Sequence, residues 1–103
     1  MRSLQNIFLR KFMNNKIILE SLSMDLLRVA KGLYRGSDKM VKRFSEEALM
    51  RRSEIKENEL KPYLIKILID MEKVLNSLDK EKKAEDALMY STRIRNYSQK
   101  FYS

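Results

Sequence analysis

The sequence predicts an all-α protein, an up-down-up-down four-helix bundle with an overlong first helix. Three observations carry that expectation. Turn formers are scarce: Gly32, Gly36 and Pro62 are the only glycines and proline in 103 residues, whereas a β-protein needs many turns. The strong helix formers Leu, Lys, Glu, Arg and Met are abundant. Apolar residues recur at alternating steps of three and four, which keeps one face of a helix against a neighbour.

The first segment carries the clearest seam, through Phe8, Phe12, Asn15, Leu19, Leu22, Leu26, Val29 and Leu33. It predicts one helix over residues 3–34, roughly 48 Å long at the α-helical rise. Asn14 and Asn15 are its weak point, because Asn competes for backbone hydrogen bonds. Gly36 is placed to end it, and Ser37 or Asp38 to cap the next helix. The second helix is expected over 38–57, with Val41, Phe44, Ala48 and Ile55 on one face and Arg51 intruding on that seam. The third spans 60–78, with Pro62 in its first turn and a stripe of Leu64, Ile67, Met71, Val74 and Leu78, widened by Leu68 and Leu75. Asp79 caps the fourth, over 79–102, whose seam is Ala87, Tyr90, Ile94, Tyr97 and Phe101. Short connections between helices of this length favour antiparallel neighbours.

The whole chain, 1–103, reads as a single helical domain, being about the length of one. At 44% apolar residues it can build a core despite its 35% charged content. A first helix longer than the others leaves residues 1–16 as an overhang bearing Leu4, Ile7, Phe8, Leu9, Phe12 and Met13. These residues spread too widely round the helix for a membrane-lying face, and such all-round apolarity implies burial against more than one neighbour. A homo-oligomer, most simply a homodimer, is expected through Leu4, Ile7, Phe8, Phe12, Asn15 and Leu19. The early cations with no acid before Glu20 superficially suit a transit peptide, but these apolar residues continue the seam of the following segment.

Several chemistries are excluded. Without cysteine or histidine there is no thiolate nucleophile, no zinc-thiolate site and no imidazole acid–base. The adjacent acids Glu46–Glu47 and Glu85–Asp86 diverge by about 100° on a helix and cannot converge on one point. No catalytic residue, cofactor or metal is expected. No apolar run approaches the length of a membrane span, and lack of cysteine fits a reducing, cytoplasmic setting.

Charge is the strongest functional signal. The net +8 is uneven, and Arg28, Lys31, Arg35, Lys39, Lys42 and Arg43 form a basic patch opposed only by Asp38. A bundle places this stretch at the helix 1–2 corner, with Lys80, Lys82 and Lys83 at the same end. Such a cluster could attract phosphates, or it could simply be a solvated surface. Tyr90, Tyr97 and Phe101 interleave with Arg93 and Arg95, yet all three rings fall on the helix-4 seam and read as core. The expected function is therefore a small helical interaction or scaffold module with an unidentified protein partner. A basic accessory protein that contacts nucleic-acid phosphates non-specifically is the alternative.

Overall fold

The structure, a computed structural model, describes residues 14–102. Four helices follow one another: α1 (Asn15–Arg35), α2 (Asp38–Glu54), α3 (Pro62–Leu75) and α4 (Lys80–Tyr102). A short 3-10 turn, Glu57–Glu59, interrupts the α2–α3 connection. No strand occurs among the described residues, and the all-α class predicted from the sequence is the one observed.

Helix α1 is the hub. Helices α2 and α4 pack along it, whereas α3 lies chiefly on α4 and only lightly on α2. The α1–α2 turn is as short as a helical hairpin allows. Gly36 takes a left-handed φ of 70°, and the Gly36 and Ser37 amides donate to the Leu33 and Gly32 carbonyls, the double bond of a glycine-terminated helix. The Ser37 hydroxyl then accepts from the Met40 amide and caps α2. Gly32 lets the arms close: a Cβ there would lie 3.0 Å from Val41 Cγ2 and 3.2 Å from the Val41 amide nitrogen.

Against α4, the hub makes an equally close contact by a different means. The buried residues of α4 are Ala84, Ala87, Ser91, Ile94, Tyr97 and Ser98, four of them small enough to let two helix backbones approach. At its centre Ser23 and Ser91 bond reciprocally: Ser23 Oγ donates to the Ser91 carbonyl at 2.8 Å, and Ser91 Oγ to the Ser23 carbonyl at 2.7 Å. These bonds satisfy two buried hydroxyls without any side chain large enough to hold the helices apart. Tyr63 against Tyr97 at one end of α3, and Val74 beside Asp86 at the other, show that α3 and α4 are also antiparallel.

Three expectations need correction. The helix does not run unbroken from residue 3, because Asn14 is extended and its side chain accepts from the Ile17 amide, making it the N-cap. The part of the expected helix before Asn14 lies outside the described residues, as do Leu4, Ile7, Phe8 and Phe12. Helix α2 stops at Glu54, three residues early, because Ile55 and Leu60 turn inward and anchor the connection in the core. Helix α3 ends at Leu75, where Asn76 folds its amide back onto the Glu72 carbonyl. Leu78, expected on the seam, consequently stands 97% exposed.

Asn15 has a role that neither reading of the seam anticipated. It is 1% exposed, and its amide donates to the Lys56 carbonyl at 3.0 Å and to Glu59 Oε2 at 3.1 Å. Its own oxygen accepts from the Lys56 amide at 3.0 Å. The side chain pins the α2–α3 connection to the first turn of α1, while the Tyr97 hydroxyl holds the far end by accepting from the Lys61 amide. Asn15 and Leu19, the latter fully buried, are thus used within the chain and drop out of the expected oligomer interface.

Replacing Asn15 with Ala removes three hydrogen bonds, leaving the Lys56 amide without its partner and the Lys56 carbonyl with only the Glu59 amide. The expected loss is about 2–3 kcal/mol, a fall of at least about 8 °C in melting temperature for a domain of this size, read by circular dichroism. An unchanged melting temperature refutes the clamp.

Candidate functional site

The tight turn at Gly36–Ser37 decides where the cations go. Arg28, Lys31 and Arg35 share one face of α1, at steps of three and four. Lys39, Lys42 and Arg43 occupy the first two turns of α2 beside them. All six are exposed, so the basic patch read from the sequence is a surface. The link between the two groups is Phe44, whose ring has the Arg28 guanidinium carbon 5.3 Å and the Arg43 carbon 5.2 Å from its centroid. Both guanidinium groups lie at cation–π range, which fixes the arginine stems over an apolar base.

Little local charge offsets this face. Asp38 points to Lys80 at 3.4 Å in an exposed pair, the kind of contact that contributes little. That pair also brings the start of α4 to the α1–α2 corner, as expected from the bundle. Arg28 lies 3.9 Å from Asp25. Lys31, Arg35, Lys39, Lys42 and Arg43 make no ion pair among the described residues. Lys83 lies further back and half-buried, and burial lowers its pKa.

Beneath the face is a feature that the sequence reading missed. Asp25 is 3% exposed and sits on the core side of α1. Its Oδ2 lies 3.9 Å from Arg51 Nε, too far for a hydrogen bond, and neither atom has a hydrogen-bond partner among the described residues. Arg51 also reaches Glu47 at 3.9 Å, which explains why a charged residue occupies the α2 seam. Burial pushes the Asp25 carboxyl from 3.8 up to about 6; Glu47 adds to the rise, and Arg51 and Arg28 oppose it. The signal was present in the sequence: Asp25 stands three residues after Leu22 and four before Val29, and a polar residue also occupies the neighbouring seam.

The aromatic residues divide. Tyr97 is buried as expected, at 5% exposure, but Phe101 is 39% exposed and Tyr90 is only half-buried. Burial raises the Tyr90 pKa, Asp70 and Asp86 add to the rise, and Arg93 opposes it. Among the described residues no group of acidic side chains could hold a metal ion, and no helix is long and apolar enough to cross a membrane. No family model matches the chain, and neither a curated protein nor a solved structure is significantly similar to it.

The Asp25 carboxyl has a definite sign in stability. Its folded pKa lies above the unfolded value, so the favourable contribution is full below about 3.8 and is lost as pH rises through about 6. At pH 7 a poorly partnered charge stays buried. Asp25→Asn should therefore stabilise the protein at pH 7 by up to about 3 kcal/mol, Arg51 keeping Glu47 as its partner. The gain should shrink to near zero at pH 4, as followed by urea unfolding across that range. A variant that is less stable than wild type at pH 7 contradicts the assignment.

Proposed function

We propose that the protein is a cytoplasmic, non-catalytic helical interaction module that docks an acidic surface of a partner protein on the α1–α2 basic face. The observation that carries this reading is the placing of Lys39, Lys42 and Arg43. Basic residues suit the end of a helix, which explains Arg35 in the last turn of α1. The first turn of α2 is the electropositive end of that helix, where Lys39 works against the helix field, and Lys42 and Arg43 follow in the next turn with no ion pair among the described residues. Charges set against local stability and left facing solvent are what a binding surface retains. Phe44 gives the face an apolar centre between two arginines, the residue types that anchor protein interfaces.

The same cations favour a second reading, an accessory protein that holds nucleic-acid phosphates, since neutralised phosphates release counterions. That mode would be insensitive to base sequence. We also propose that the protein is a homo-oligomer joined through Leu4, Ile7, Phe8 and Phe12. Left in water, these residues would form an unusually large apolar patch, and self-pairing about a two-fold axis buries it most simply.

Reversing Arg35 and Lys42 to Glu should weaken binding of a glutamate-rich helical peptide by roughly tenfold, two attractive contacts each becoming repulsive. Fluorescence anisotropy at physiological salt reads this, with a duplex DNA of two different sequences alongside. Peptide binding that the reversal leaves intact sinks the basic-face reading, and tighter binding to DNA than to the peptide transfers it to nucleic acid. For the oligomer, Phe8→Glu with Phe12→Glu should give a monomer in light scattering. A wild-type protein already monomeric in dilute solution overturns that proposal.

A further inference from the structure

At the opposite end of the molecule from the basic face, α3 and α4 diverge into an open cleft of about 320 Å³. Its walls are Tyr63 and Ile67 from α3, and Arg93, Asn96, Tyr97 and Lys100 from α4. The cleft exists because the small-residue stripe of α4 turns towards α1, leaving the large rings on the flank that α3 covers. Tyr97 is fixed there by the bond from the Lys61 amide to its hydroxyl, at 3.0 Å. Around it the rings are ordered: Tyr63 meets Tyr97 edge-on, 5.7 Å between centroids, and Phe101 lies 4.6 Å from Tyr97. Tyr63 is nonetheless 52% exposed, so much of its side chain remains open to solvent beside Ile67.

The polar groups of the cleft share one sign. Arg93, Asn96 and Lys100 fall at steps of three and four along one stripe of α4. Lys100 lines the cleft, and Lys100 and Lys61 place their ammonium groups 5.3 and 5.5 Å from the Phe101 ring, which packs on Tyr97. No acidic residue lines the cleft, and Arg93, Lys100 and Lys61 make no ion pair among the described residues. Asp70 and Asp86 act on Tyr90, one turn along α4 from Arg93.

A ligand for this cleft must offer a flat ring to the aromatic wall, an anion to Arg93 and Lys100, and hydrogen-bonding edges to the Asn96 amide. It must also be small, since the volume lies at the lower end of small-molecule sites. We propose that the α3–α4 cleft binds a single unpaired nucleotide, its base laid against Tyr63 and its phosphate held between Arg93 and Lys100. Stacking on an aromatic platform beside a cationic groove is how unpaired bases are held without sequence readout. A stacked duplex cannot supply the base, so the nucleotide is either free or part of a single strand. This site does not depend on the acidic-partner reading of the basic face.

Binding is read by isothermal titration calorimetry, which needs no tyrosine signal and so applies equally to wild type and to the Tyr63 variants. The probes are adenosine monophosphate, a ten-nucleotide single-stranded oligoadenylate, an abasic strand of the same length, and ribose 5-phosphate. Binding of the mononucleotide identifies a free nucleotide as sufficient, and binding of the oligonucleotide alone identifies a strand; either supports the proposal. Tyr63→Ala should weaken binding about tenfold, Tyr63→Phe should restore it, and Lys100→Gln should weaken it while reducing its salt dependence. Melting curves confirm that each variant folds, and Ile67→Glu supplies a second block should Tyr63→Ala prove unstable. Arg35→Glu with Lys42→Glu should leave mononucleotide binding unchanged. Equal affinity for base-bearing and abasic probes, an unaffected Tyr63→Ala, or equal binding of a glutamate-rich peptide would overturn it.

Discussion

The close approach of α4 to α1 is the constraint on which the rest of the architecture depends. Two helices can come this near only where their facing side chains are small, and Ala84, Ala87, Ser91 and Ser98 meet that condition. Ser23 and Ser91 make the approach specific, because each hydroxyl finds the carbonyl of the other helix and any change of register would leave both buried without a partner. With this stripe and Ile94 facing the core, the aromatic residues of α4 are left for its flank. Tyr97 and Phe101 turn to the side where α3 arrives, and the rings keep the two helices apart near residue 63. The cleft is thus a geometric consequence of a tight contact on the other side of α4.

Buried polar groups on α1 divide into two kinds. Asn15 forms three hydrogen bonds within the chain and fixes the start of a connection that Ile55, Leu60 and the Tyr97 hydroxyl also hold. Such a satisfied group adds stability and a unique arrangement together. Asp25 is the opposite: a carboxylate in the interface of α1 and α2, with its cations at 3.9 Å and no hydrogen bond to Oδ2. Burial of a charge without close partners is unfavourable, which is why its proton is held to a higher pH. Its position directly under Arg28 also ties the charge of the basic face to that proton.

Much of this was legible in the sequence, and the failures share one cause. The α1 seam from Asn15 onward, the Gly36 stop, the Ser37 cap and the Asp79 cap are as read, because each rests on strong local chemistry. On α3 and α4 the residues Leu64, Leu68, Met71, Leu75, Ala87, Ile94 and Tyr97 are buried as read, and the misses are large residues placed on the seams, Leu78 on α3 and Tyr90 and Phe101 on α4. The buried stripe of α3 is Leu64, Leu68, Met71 and Leu75, so Ile67 is freed to line the cleft and Leu78 falls beyond the helix. The buried residues of α4 that were missed, Ala84, Ser91 and Ser98, are short side chains that carry almost no hydropathy signal. The exposed cations of the basic face were legible because charge alone predicts exposure. Tyr63 was not, since an aromatic ring beside a proline carries no sign of which wall it will form.

The two candidate surfaces occupy opposite ends of the bundle. Lys80, at the α1–α2 corner through Asp38, and Lys100, in the cleft, are twenty residues apart on α4, or about 30 Å along the helix axis. That distance is several times the length over which salt screens a charge at physiological ionic strength. Acidic residues lie between them, Asp70 and Asp86 among those felt by Tyr90, so the positive potential is split into two fields. The fold therefore separates its charge into a basic face around Phe44 and a ring-lined cleft beside Tyr63. Because the helices between them form one packed core, each surface is held rigidly relative to the other, and substitutions on one should add independently to those on the other.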